Sequence, residues 1–237
     1  MREDICSIPI NDIFGPKDGC PICRMRDMLE ERLTKYITGA AMMEPDVRIE
    51  TNRLGFCKDH FDMILSVGSR LSVALILESH LKEIEEKVLF LDNEKQAEKK
   101  AVPEIRAFSK KCFICENIEK NTRHLMDSAM NMWEKDADFR ALYRAQEYLC
   151  LPHSAVMFEA AERLPKKLRG DFLRETRRLS GEYLRTLESD TTHFCRMFDY
   201  RNRGADWGNS KDAIERSIRF ITSRVPRNEG KADEKNR

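Results

Sequence analysis

Cys20-Pro21-Ile22-Cys23 followed by Cys57-Lys58-Asp59-His60, then Cys112-Phe113-Ile114-Cys115 followed by Cys150-Leu151-Pro152-His153, is one motif written twice. About 33 residues separate the two pairs in the first copy and about 34 in the second, a period that marks an internal repeat. Six of the eight cysteines and two of the five histidines fall in these pairs. That concentration calls for a metal.

Zinc takes four tetrahedral ligands drawn from thiolate and imidazole, and a structural site leaves no position for water. A Cys3His set supplies those ligands. The simplest arrangement keeps each set within its own copy. Cys20, Cys23, Cys57 and His60 would then hold one ion, and Cys112, Cys115, Cys150 and His153 a second. Pairing across the copies stays open. An iron–sulfur cluster is the alternative cofactor, since clusters also use cysteine and sometimes histidine. A thiol–disulfide role for Cys20 and Cys23 would need a βαβ setting, which the chain lacks. No H-E-x-x-H, G-x-S-x-G or phosphate-cradling glycine loop is present, so the chain offers no catalytic motif and no residue is assigned a catalytic role.

The fold class reads as all-α. After Cys23, Met25, Met28, Leu29, Leu33 and Ile37 recur at helical spacing, as do Ile118, Leu125, Met126, Ala129 and Trp133 after Cys115. Both C-x-x-C pairs therefore sit at helix starts. Each second pair opens another helix. Phe61, Ile64, Leu65, Leu71 and Leu75 follow His60, and Val156, Met157, Ala160 and Leu164 follow His153. Gly68 interrupts the first of these. Glu44-Pro45-Asp46 reads as a connector where helix ends. Leu168, Phe172, Leu179, Tyr183, Leu187 and Phe194 form a long stripe, which the polar segment 199–210 breaks. A last helix over about 210–225 points Ile214, Ile218 and Ile221 inward, with Asn209 or Ser210 as its cap. The expected organisation is a first metal-binding repeat over 1–100, a second over 101–165, C-terminal helices over 166–226 and a disordered tail over 227–237. The polar stretch 92–102 reads as the linker between repeats.

His80, His124 and His193 fall on helices and read as surface or satisfied core residues. Cys6 and Cys195 stand outside the repeat and read as small buried apolar residues. The segments 42–52 and 199–208 are dense in polar chemistry. They read as buried ion pairs and caps that fix inter-helix geometry. A sharper alternative puts Arg48, Arg201 and Trp207 around one anion-binding pocket.

Charged residues make up 35% of the 237-residue chain and net charge is +1, so no global field selects a polyanion. The charge is uneven. Residues 1–100 carry 15 basic against 19 acidic side chains, and residues 162–230 carry 16 against 11. The basic residues are dispersed, as on a solvated helix face. The N-terminus has acids where a signal peptide needs bases, and the apolar run 71–77 is too short to span a bilayer. A cytoplasmic location follows as the expectation, where paired cysteines serve metals rather than disulfides.

The runs CPIC (20–23), MMEPDVRIETNRLGFCKDH (42–60), CFIC (112–115), LCLPH (149–153) and FDYRNRGADWGNSKDAIERSI (198–218) together resemble an uncharacterised bacterial family. It is a domain of unknown function found largely in anaerobic Gram-positive bacteria. The resemblance implies a full-length cytoplasmic protein with repeated Cys/His pairs and carries no activity. The expected role is a zinc-stabilised, non-enzymatic interaction or regulatory module holding two zinc ions and binding an unknown protein partner, without a membrane. The alternatives are a nucleic-acid-binding zinc protein, an iron–sulfur or thiol redox protein, and an enzyme whose site lies in the polar connectors.

Overall fold

A computed structural model of the chain describes residues 8–89, 102, 103, 105, 106, 108 and 110–225. The expected linker 92–102, apart from Val102, lies outside the described residues. So do Cys6 and the tail 227–237. Among the described residues there are helices and no strands. The α-helices are α1 (Ile8–Phe14), α2 (Pro21–Thr38), α3 (Pro45–Leu54), α4 (Lys58–Val67), α5 (Arg70–Ile84), α6 (Phe113–Lys135), α7 (Ala137–Arg144), α8 (Leu151–Ala160), α9 (Lys166–Arg196) and α10 (Ala213–Thr222). The all-α reading holds.

Local chemistry explains most helix ends. Pro21 opens α2 and Pro45 opens α3, where a missing N–H costs nothing and the fixed φ suits the first turn. Glu44-Pro45-Asp46 thus begins a helix rather than merely ending one, and the expected connector is largely α3. Gly68 closes α4, and Ser69 caps α5 by accepting from the Ser72 N–H. Asp136 caps α7 by accepting from the N–H groups of Asp138 and Phe139.

The chain divides into two compact units, Met1–Arg24 with His124–Arg237, and Met25–Arg123. These units do not follow the repeat boundaries expected at residues 100 and 165. The first unit is built on aromatic packing. Trp133 lies 5.3 Å from Tyr143 and 5.0 Å from Phe172, ring centre to ring centre. Phe14 lies 5.3 Å from Phe139. All five rings are buried. The Tyr143 hydroxyl meets Thr176 Oγ1 at 2.7 Å, which satisfies a buried polar atom. Tyr148 stacks on Tyr183 at 3.8 Å, with Phe220 of α10 against both.

On α10 the buried residues are Ala213 and Phe220. Ile214, Ile218 and Ile221 are 43%, 39% and 56% exposed, so the expected inward face is the outer one. Asp212 is the N-cap position, in place of Asn209 or Ser210. The second unit centres on Ile37, Leu54, Phe56, Ile64, Val73, Ile76, Cys112, Phe113 and Ile114. Leu33, Val47, Phe61 and Ile118 flank them.

Candidate metal centres

Each ligand pair starts a helix in the same way. The carbonyls of Cys20, Cys57, Cys112 and Cys150 accept the N–H of residues 24, 61, 116 and 154, closing the first turn. Cys57 and Cys150 occupy N-cap positions with extended backbone. Their side chains make no capping bond, which leaves the sulfurs for other work. The N-terminal end of a helix carries partial positive charge and favours a thiolate placed there.

The four pairs gather into two groups, and the groups cross the copies. Cys20, Cys23, Cys150 and His153 form one group, and Cys57, His60, Cys112 and Cys115 the other. Each group lies within one compact unit. Because residues 57–115 fall inside the span 20–153, the groups are an outer and an inner clamp. The same-copy pairing is therefore corrected, while all eight residues fall in one or other of two Cys3His groups that could hold a metal ion. The path of the two long helices gives the reason. The 18 residues of α2 rise about 27 Å and begin in one unit and end in the other. The 23 residues of α6 rise about 35 Å and take the chain back. The pair after each long helix therefore lies in a different unit from the pair before it.

The inner group is assembled by a backbone bond between the copies. The Phe113 N–H donates to the Gly55 carbonyl at 2.9 Å. Gly55 has φ +60 and ψ −157, a region open only to glycine. A Cβ there would lie 2.7 Å from Nε2 of His80. His80 is itself a satisfied core residue, its Nδ1 2.9 Å from the Asn52 carbonyl.

Within the inner group, His60 Nδ1 stands 3.1 Å from Cys57 Sγ, 3.2 Å from Cys112 Sγ and 3.4 Å from Cys115 Sγ. Cys57 and Cys115 sulfurs are 3.9 Å apart. Within the outer group, His153 Nδ1 stands 3.1 Å from Cys150, 3.3 Å from Cys23 and 3.5 Å from Cys20. Cys23 and Cys150 sulfurs are 3.7 Å apart. These are not disulfide distances, since a bridge needs about 2.05 Å. A tetrahedral ion with Zn–S of about 2.3 Å and Zn–N of about 2.0 Å puts sulfurs about 3.8 Å apart and sulfur and nitrogen about 3.5 Å apart. The donors fit one such ion per group.

The electrostatics ask for a cation. Hydrogen bonding from Cys115, against burial, brings Cys112 down to about 3. Cys115 is then pushed far up, because it donates to Cys112 and sits beside its charge. Burial opposes a charge on His60, but its bonds to Cys112 and Glu30 raise it to about 10. In the outer group burial opposes ionisation of Cys20, yet bonds from Cys150, Cys23 and His153 hold it well below the ordinary thiol value. Cys23 is driven up by its bonds to Cys150 and Cys20, and Cys150 is pushed up to about 12 by its bond to Cys20. One thiolate forms readily in each group, and the next needs a positive ion beside it.

The remaining residues have structural explanations. Arg48 belongs to one unit and donates to the Leu75 carbonyl at 3.1 Å. Arg201 belongs to the other and pairs with Asp199, while Trp207 packs on Phe194 and Phe198. The Arg48 bond joins α3 to α5 as expected, whereas the Arg201–Asp199 pair is local and at the surface rather than buried. His124 is exposed, and His193 Nε2 lies 3.0 Å from the Asp206 carbonyl. Cys195 is exposed, contrary to the expected burial. The residue that sequence reading missed is Glu30, buried on α2, with Oε1 3.4 Å from His60 Nε2. The signal in the sequence is its place three and seven residues before Leu33 and Ile37, on the line of the apolar stripe. No helix of the described residues is long and apolar enough to cross a membrane.

The fold and the donors define an all-α protein with two Cys3His groups able to hold metal ions. The chain belongs to a family of unknown function, DUF6062, which it matches over residues 1–228. No curated protein and no solved structure matches it.

Proposed function

We propose that the protein is a zinc-stabilised helical module of the cytoplasm, holding two zinc ions and acting through an interaction with a protein partner rather than by catalysis. The observation that carries the reading is the donor geometry. Each group offers four ligand atoms that all lie within 4.8 Å of one another. Four donors complete a tetrahedral shell and leave no position for a reacting water. The compactness favours a single ion over an iron–sulfur cluster, in which thiolates sit on different irons and spread further apart. Placing each ion between two helix starts makes binding energy into folding energy. For structural zinc this amounts to about 10 kcal/mol or more at neutral pH.

Elemental analysis of anaerobically purified full chain, with a visible spectrum alongside, tests the reading. Two zinc ions per chain and no visible band are expected. Iron with a broad visible band, or no metal with free thiols, would overturn it.

A further inference from the structure

The two groups have the same donors but differ in access to solvent. The outer cysteines are sealed. Cys20 is 2% exposed, and Cys23 and Cys150 are fully buried. The Cys23 sulfur is further covered by the Ser223 carbonyl at 3.8 Å. In the inner group Cys115 is exposed and Cys57 half-buried, and only Cys112 and His60 are covered. Cys115 lies on the first turn of α6 beside Glu116, whose contact with Arg53 at 3.9 Å is at the surface.

We propose that the inner group is an oxidant-responsive metal site whose point of attack is Cys115, while the outer group is a fixed clamp. This rests on the reading that each group holds zinc. The oxidant class is a hydroperoxide. The Cys115 thiolate attacks one peroxide oxygen, the O–O bond breaks, and a sulfenic acid and hydroxide (or alkoxide) form. A second thiolate of the group then attacks the Cys115 sulfur, the S–O bond breaks, and hydroxide leaves as the disulfide closes. Cys57, 3.9 Å away, is within reach for that step. The two sulfurs lose two electrons and the peroxide gains them. The group then keeps one thiolate and one imidazole, too few to retain the ion. With zinc bound the cysteines of both groups are thiolates, so access decides the point of attack, and only the inner group offers an exposed cysteine.

The test uses zinc-loaded full chain carrying Cys195→Ser, which removes an exposed thiol outside both groups. Hydrogen peroxide is added in steps. Zinc release is followed with a chromogenic chelator, and each cysteine is mapped by alkylation and mass spectrometry. The expected result is release of one zinc of two, with Cys115 modified about tenfold faster than Cys20, Cys23 or Cys150. A reducing agent with added zinc restores the second ion. Simultaneous loss of both ions, or earlier loss at the outer cysteines, overturns the proposal. Failure of the underlying reading shows separately, as fewer than two zinc ions before any oxidant is added.

Discussion

Glu30 Oε1 lies 3.4 Å from Nε2 of His60, and both side chains are buried. The opposite nitrogen, Nδ1, faces the three sulfurs of the inner group. A carboxylate on the far nitrogen of a ligand histidine holds the proton there and fixes the ring with its lone pair toward the ion. Glu30 is thus a positioning residue for the inner group. Glu30→Ala should weaken metal affinity at that group about 10- to 100-fold, with Glu30→Gln recovering part of the loss through its amide oxygen. Chelator competition with cobalt as a coloured reporter measures this, and the outer ion is expected to stay unchanged. An inner-group affinity in Glu30→Ala equal to that of the unaltered chain would remove the role assigned here.

Loading the groups should release protons. In the metal-free inner group His60 and Cys115 both hold a proton near neutral pH, and in the outer group Cys23 and Cys150 do. All four must lose it to bind. Since protons leave as metal enters, apparent affinity rises with pH and acid strips the ions. Zinc titration in weakly buffered solution at neutral pH should acidify the medium by at least four protons per chain. Fewer than two for both ions together would show that the thiols are already ionised without metal.

The helix starts were legible because their causes are local. Each ligand pair and the apolar spacing after it mark the same point, so Cys20, Cys57, Cys112 and Cys150 all read correctly as openings of helices. The partnership of the pairs was not legible from the motif, because it depends on α2 and α6 each carrying the chain from one unit into the other. Pro45 misled because proline both stops a helix and starts one, and only the position of the next turn tells which.

The outer face of α10 misled for another reason. Three isoleucines at positions 214, 218 and 221 have the spacing of a buried stripe, yet the volume that fills the core belongs to Phe220, against Tyr148 and Tyr183. Phe220→Ala should therefore cost about 3–5 kcal/mol. Ile218→Lys should change stability by no more than about 0.5 kcal/mol, as an exposed substitution does. Urea denaturation of both variants decides the phase of the helix. A large loss for Ile218→Lys with little for Phe220→Ala would turn the helix over.

The crossing of ligands between copies has a test that needs only metal counts. A group that loses two of its four donors cannot keep an ion in a closed tetrahedral site. With crossed pairing, changing Cys20, Cys23 and Cys150 to Ser and His153 to Ala removes the outer group alone, and the variant should retain one zinc per chain. Changing Cys20, Cys23 and Cys57 to Ser and His60 to Ala takes two donors from each group, and the variant should retain none. Same-copy pairing reverses the two results, because the second set would then be the four ligands of one ion and the first would take two from each. Local unfolding does not blur the reading, since the four members of each group lie in one compact unit. Elemental analysis of the two purified four-site variants, side by side, therefore separates the arrangements by a whole ion in opposite directions.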